Sequence, residues 1–145
     1  MPQSVPLECW RAKAGQEAAR ILDIAPGAPI TIVRRVLKFN GKPVVVDEIY
    51  LPGDIFQGLS LEVLQEYQAS LYSLFETRFG VRMIVPRSAS APLRRTGRRR
   101  SCWRWEEGSP LLSVERVTYT YGDKPVEWRR GLYSTAEHYY LNELI

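Results

Sequence analysis

The sequence is poor in the residues that bind metals or carry out nucleophilic chemistry. It has one histidine, His138, and two cysteines, Cys9 and Cys102, far apart in the chain. That spacing rules out a CxxC motif, and a structural zinc site with four Cys or His ligands has too few donors to draw on. Two isolated thiols fit a reducing compartment, so a cytoplasmic location is expected. No apolar run approaches the roughly 20 residues of a membrane span. The start of the chain, Met1-Pro2-Gln3-Ser4-Val5-Pro6, has neither the basic nor the apolar region of a secretion signal. Also missing are a Ser/His/Asp set, a Cys/His pair in plausible order, a phosphate-cradling glycine loop and a carboxylate pair at diagnostic spacing. The residues therefore point away from an enzyme, and no cofactor or metal is expected.

What is present is an ordinary globular composition, 45% hydrophobic and 25% charged over 145 residues, enough for one domain spanning 1–145 with a single core. The formal charge of +4 misrepresents the fold. Seven arginines and no acidic residue lie between Arg87 and Arg104; without them, 13 basic residues face 16 acidic ones. The basic character belongs to one short segment.

The strongest internal signal is a repeat. Gly27, Pro29, Val33, Arg35, Val36 and Gly41 recur 81 positions later as Gly108, Pro110, Val114, Arg116, Val117 and Gly122. After a one-residue insertion, Pro43-Val44 recurs as Pro125-Val126. Each copy alternates apolar and polar residues like a half-buried strand. Each also contains a turn signal, Asn40-Gly41 or Tyr121-Gly122-Asp123, whose residues tolerate positive φ. The returning strands are predicted over Pro43–Leu51 and Pro125–Tyr133, with a further strand over Val81–Val85. Helices are predicted over Ala14–Leu22 and through Leu61, Leu64, Leu71, Leu74, Phe75 and Phe79, with Ser60 as an N-cap and Gly80 as the stop. The fold class is α+β: an antiparallel sheet with flanking helices, built from two repeated long hairpins.

In this order and spacing the motifs resemble the UTRA domain, the ligand-sensing half of GntR-type transcription regulators of the HutC subfamily. The resemblance rests on the Gly-x-Pro step before each repeat, on Arg35 running into the hairpin at Pro43, and on Ser70-Leu71-Tyr72 opening a helix that ends at Phe79-Gly80. It rests also on Pro125-Val126-Glu127 followed by Arg130 and a tyrosine-rich end, Tyr139-Tyr140-Leu141. It covers about residues 7–144. It implies a chorismate-lyase-like fold with a ligand cleft between the repeats, a homodimer, and a winged-helix DNA-binding domain that precedes such domains and is absent from this chain. DNA would be reached through that absent domain alone, and no membrane is involved. The effector is expected to be a small molecule, anionic like a sugar phosphate or carboxylate.

The candidate ligand residues are Arg35, Glu48, Ser70, Tyr72, Glu127, Arg130, Tyr133 and Tyr139. If the long helical stretch breaks near Gln68, Ser70 becomes an N-cap, and the free N–H groups of the first turn face an anion. The competing reading is an unbroken helix with Ser70 exposed and Tyr72 packed. Arg35 offers planar bidentate donors, and the resemblance assigns it ligand contact while leaving its repeat mate Arg116 open to a structural role. Both arginines could instead pair with Glu48 or Glu115 on exposed faces. The resemblance gives Glu127 the hydroxyl or amino groups of the ligand, with Glu48 as its counterpart on the first hairpin and Arg130 nearby; solvated strand carboxylates are the alternative. Tyr133 and Tyr139 could line a cleft or simply fill the core. A chorismate-lyase-like enzyme remains the alternative function, and pyruvate release from chorismate would reveal it.

Residues 87–105 break the pattern. Repeat logic asks for a helix before Gly108, but Arg94 to Trp105 has no apolar period of 3.6. Clustered arginines with tryptophans fit a nucleic-acid-binding arm. The favoured reading is a local frameshift. GC-rich codons for Thr96 to Trp105, read in a neighbouring frame, spell Gly-Ala-Ala-Ala-Gln-Leu-Leu-Ala-Leu, an amphipathic helix running into Glu106. The segment as it stands is then expected to be poorly packed.

Overall fold

The computed structural model describes residues 3–84, 94–98 and 110–134, with the backbone alone for 94–98 and 110–112. In chain order the elements are β1 (Gln3–Lys13), α1 (Gln16–Leu22), β2 (Pro29–Phe39), β3 (Lys42–Pro52), α2 (Leu61–Glu66), α3 (Leu71–Phe79), β4 (Arg94–Arg98), β5 (Pro110–Thr120) and β6 (Lys124–Ser134). The strands form one antiparallel sheet in the order β1-β2-β3-β6-β5-β4. The α+β architecture expected from the sequence is the one observed.

The repeat explains that order. β2–β3 and β5–β6 are the two hairpins, each flanked by a strand that comes before it in the chain. They meet along β3–β6 through a pseudo-two-fold axis at the Glu48↔Arg130 pair, which are repeat mates of each other. Asn40 and Gly41 both have positive φ (54° and 78°). That is the twist a two-residue hairpin needs to match the right-handed strands beside it. The second hairpin carries the extra residue and turns through Tyr121–Asp123. Both hairpins bulge at the same repeat position, leaving Val44 and Val126 without a cross-strand partner, and both valines are buried in the core.

Alternation along the strands produces two faces. Beneath one lies α1, whose Ala18, Ala19 and Leu22 bury against Ile30, Ile32 and Trp128. Against the other face pack α2, α3 and the segment before them. Phe56, Leu59, Leu64, Leu74 and Phe75 meet Val33, Ile49, Leu51 and Val126 there.

Three expectations are corrected. The sequence reading missed β1, an edge strand whose register shifts between Pro6 and Glu8. Proline lacks the N–H of a ladder bond and is tolerated at an edge or a bulge. Of the strand expected over Val81–Val85, the described residues keep one bridge, Ile84↔Tyr119, beyond the stretch of β5 that β4 covers at Pro110–Ser113. Val85 lies outside the described residues. Within the anomalous segment, Arg94–Arg98 is a strand, which the sequence reading did not foresee. It holds on β5 the place β1 holds on β2, since Arg98↔Pro110 corresponds to Lys13↔Pro29. Residues 87–93 and 99–105 lie outside the described residues, and with them the expectations about packing, reading frame and nucleic-acid contact.

Candidate functional site

Between β1, β2 and the α2–α3 turn lies a cavity of about 640 Å³, well within the size range of small-molecule sites. Its apolar wall includes Val33, Leu37, Leu64, Leu71 and Leu74, and among the described residues its charged lining is Arg35 and Arg129.

The helical stretch does break. Tyr67 leaves helical geometry at ψ 122°, and Ser70 caps α3 with its hydroxyl accepting from the Ser73 N–H at 3.1 Å. Residues 68–72 therefore line the cavity at the start of a helix, where N–H groups are short of partners and the helix dipole is positive. The Ser70 hydroxyl is itself occupied by the cap, so an anion here would meet backbone N–H groups. Replacing Ser70 by Ala is expected to cost about 1 kcal/mol of stability, the usual value of an N-cap. A urea midpoint unchanged from wild type would contradict the cap.

Arg35 reaches the cavity from β2 while its Nε donates to Asp47 Oδ1 at 3.0 Å and its Nη2 to Asp47 Oδ2 at 3.2 Å. Its Nη1 donates to the Ser4 hydroxyl at 3.4 Å. The neighbouring strands carry a tighter network centred on Tyr72. The Tyr72 hydroxyl donates to Glu127 Oε1 at 2.7 Å and accepts from Arg116 Nη2 at 2.6 Å, with the Thr118 hydroxyl at 3.2 Å. Arg129 Nη2 donates to Glu127 Oε2 at 2.8 Å. The Arg129 and Arg116 guanidiniums lie 5.4 and 5.8 Å from the Tyr72 ring centre, within cation–π range.

Burial shapes the protonation of this network. It would raise the carboxyl of Glu127, which is 0% exposed, but Arg129, the Tyr72 hydroxyl and Arg116 together hold it below the ordinary glutamate value. Tyr72 moves the other way, raised first by burial and then by the charge of Glu127. Burial would lower Arg129, yet Glu127, Tyr72 and Asp47 hold it above its usual value. The network is thus a carboxylate, a neutral phenol and two guanidiniums near neutral pH.

The structure brings Arg35, Ser70 and Tyr72 to the cavity, with Glu127 directly behind Tyr72. Tyr133 is buried on the same sheet face beside Arg116 and Arg129, in a second cavity of about 10 Å³. Glu48 and Arg130 stand elsewhere, because period two puts them on the α1 face. There Glu48 accepts from Arg34 and from the Tyr50 hydroxyl, and Arg130 lies over the Trp128 ring. The repeat partner of Glu127 is accordingly Val45, and that of Glu48 is Arg130. Tyr139 lies outside the described residues. Sequence reasoning missed Asp47 and Arg129, each one position from a residue it chose. Their signal was parity with Arg35 and Glu127.

A two-repeat sheet with a ligand-sized cavity beside an arginine-rich network is the architecture of an effector-binding domain of a transcription regulator. Solved structures agree. The ligand-binding domain of a candidate GntR-family transcriptional regulator from Bordetella bronchiseptica matches with 42% identity and a TM-score of 0.86, covering 98% of this chain and 89% of that one. The effector domain of PhnF from Mycobacterium smegmatis matches at 22% identity and TM-score 0.79, covering 97% and 85%. YydK from Bacillus subtilis, a candidate transcriptional regulator, matches at 21% and 0.79, but the chain spans 60% of its length. The chain belongs to the UTRA domain family, whose model matches residues 2–139. Among the described residues no helix is long and apolar enough to cross a membrane.

Proposed function

We propose that the protein senses an anionic small molecule in the cavity between β1, β2 and the α2–α3 turn, without catalytic turnover. The observation carrying this reading is the meeting of Arg35 and the N-terminal turn of α3 in one 640 Å³ space. A fixed guanidinium and oriented N–H groups are what a phosphate or carboxylate requires. Asp47 holds Arg35 in place from behind, so the arginine is oriented before a ligand arrives. Glu127 stands behind Tyr72 and reads hydroxyl or amino groups only if Tyr72 or Arg129 yields its bond. Effector binding then modulates DNA binding by a winged-helix domain, as in GntR regulators of the HutC type, and the working unit is a cytoplasmic homodimer.

The test is a thermal-shift screen of sugar phosphates, amino-sugar phosphates, phosphonates, amino-acid catabolites and fatty acids, since a ligand bound by the native state alone raises the midpoint. Hits are expected among anions, and Arg35→Ala should weaken them by about 1.5–3 kcal/mol, the scale of a charged hydrogen bond. Equal affinity in wild type and variant, or hits confined to neutral compounds, would overturn the reading.

A further inference from the structure

The two repeats treat their shared arginine differently. On the first hairpin Arg35 stands directly across from Asp47, and the pair is neutral. At the equivalent positions of the second hairpin Arg116 stands across from Arg129. Two guanidiniums directly opposite on adjacent strands repel each other, and here Arg129 is 6% exposed. Glu127 pairs with Arg129, leaving Arg116 with the neutral Tyr72 hydroxyl and no carboxylate of its own among the described residues. Among the described buried and half-buried charges of this network, Arg35, Arg116 and Arg129 face Asp47 and Glu127, an excess of one positive charge. The Nε atoms of both Arg116 and Arg129 are buried and have no partner among the described residues. A buried donor left unmade is costly, and Arg116, half-buried, brings its charge up against the buried Arg129 with no carboxylate between them among the described residues.

The place of the pair gives this excess a direction. Arg129 lines both the large cavity and the small one, which Asp47, Val114, Arg116, Gly131 and Tyr133 complete. The small cavity has room for about one water molecule, so a ligand would meet Arg129 from the large side.

We propose that the Arg116–Arg129 pair is a second anion-recognition point, and that the effector is an elongated dianion with an acidic group at each end. One acidic group would meet Arg35 and the α3 turn, so the inference rests on the cavity reading above. The other would meet Arg129 with Arg116 behind it, supplying the missing negative charge.

The test uses the α,ω-dicarboxylates from malonate to suberate, their ω-phosphono counterparts, and the monoamide of each, at matched ionic strength. Binding is followed by thermal shift and calorimetry in wild type, Arg116→Gln and the double variant Glu127→Gln/Arg129→Gln. The double variant removes both charges together and so guards against collapse from a lone buried ion. One diacid is expected to bind at least about tenfold more tightly than its monoamide. That advantage should vanish in both variants while monoamide binding persists. A diacid and monoamide that bind alike, or an advantage surviving both variants, would overturn the second point while leaving an Arg35-dependent anion site intact. Should no diacid bind wild type, the dianion is overturned whatever the broader screen finds; if that screen also yields no Arg35-dependent anion, the cavity reading falls with it.

Discussion

Replacing Glu127 by Ala is expected to lower the free energy of unfolding by about 3–5 kcal/mol, the penalty for breaking one side of a buried ion pair. The carboxylate is 0% exposed and takes bonds from Arg129 and Tyr72 through separate oxygens. Its removal strands Arg129 in the interior and deprives the Tyr72 hydroxyl of its acceptor. Urea unfolding measures the loss, and a value below about 1 kcal/mol would show that the network is not held by charge. The pair also has a pH signature. The folded-state pKa of Glu127 lies below its ordinary value. Its contribution is therefore complete above the unfolded glutamate pKa, about 4.3, and is lost as pH falls through the lower folded value. Wild type should lose stability more steeply than Glu127→Gln on acidification from about pH 5 downward. Parallel curves would contradict the depressed pKa.

Phe75→Ala should be comparably damaging, at about 3–5 kcal/mol, lowering the melting midpoint by roughly 10 °C. Phe75 is fully buried and stacks edge-on against Phe56 with centroids 4.6 Å apart. It also backs Tyr72, whose ring centre is 6.4 Å away. The variant leaves a cavity between α3 and the sheet that rigid strands cannot close. Phe75→Leu should recover much of the loss, because it restores most of the volume. If both variants unfold like wild type, α3 is not anchored through this residue, and the position of the cavity wall needs another cause.

Much of this was readable in the chain. The recurrence of Gly27 to Val44 at Gly108 to Val126 announced two hairpins, and Asn40-Gly41 marked the first turn, because composition and period carry those features locally. The Ser70 cap was legible for the same reason, and it places Tyr72 on the cavity wall, since the side chain two places on is fixed within one helical turn. β1 escaped because Pro6 and the bulge beside it destroy the alternation that identifies a strand. Glu48 and Arg130 were assigned to the ligand although they point to the other side of the sheet. Adjacent strand residues differ only by a half-turn, and Asp47-Glu48 and Arg129-Arg130 each offer two residues of like charge. Which member faces inward is decided by register with distant strands. The bulge at Val44 adds to the ambiguity, since a regular hairpin on Asn40-Gly41 would set Arg35 across from Val46 rather than Asp47.

The α1 face has its own consequence. Glu8, Arg34, Glu48, Arg130 and Glu115 stand opposite one another in turn across β1, β2, β3, β6 and β5. Their signs alternate without a break, with Glu8–Arg34 at 3.3 Å and Arg130–Glu115 at 3.9 Å. Such half-exposed pairs contribute about 0–1 kcal/mol each, so they add little to stability. Their effect falls on misalignment instead. A strand slipped by two residues keeps its apolar face inward and loses little burial, which makes it the error most open to a hairpin during folding. Here that slip would carry a charge out of the row and leave its neighbours facing apolar or uncharged side chains. The row acts as a key that only one alignment of five strands can turn.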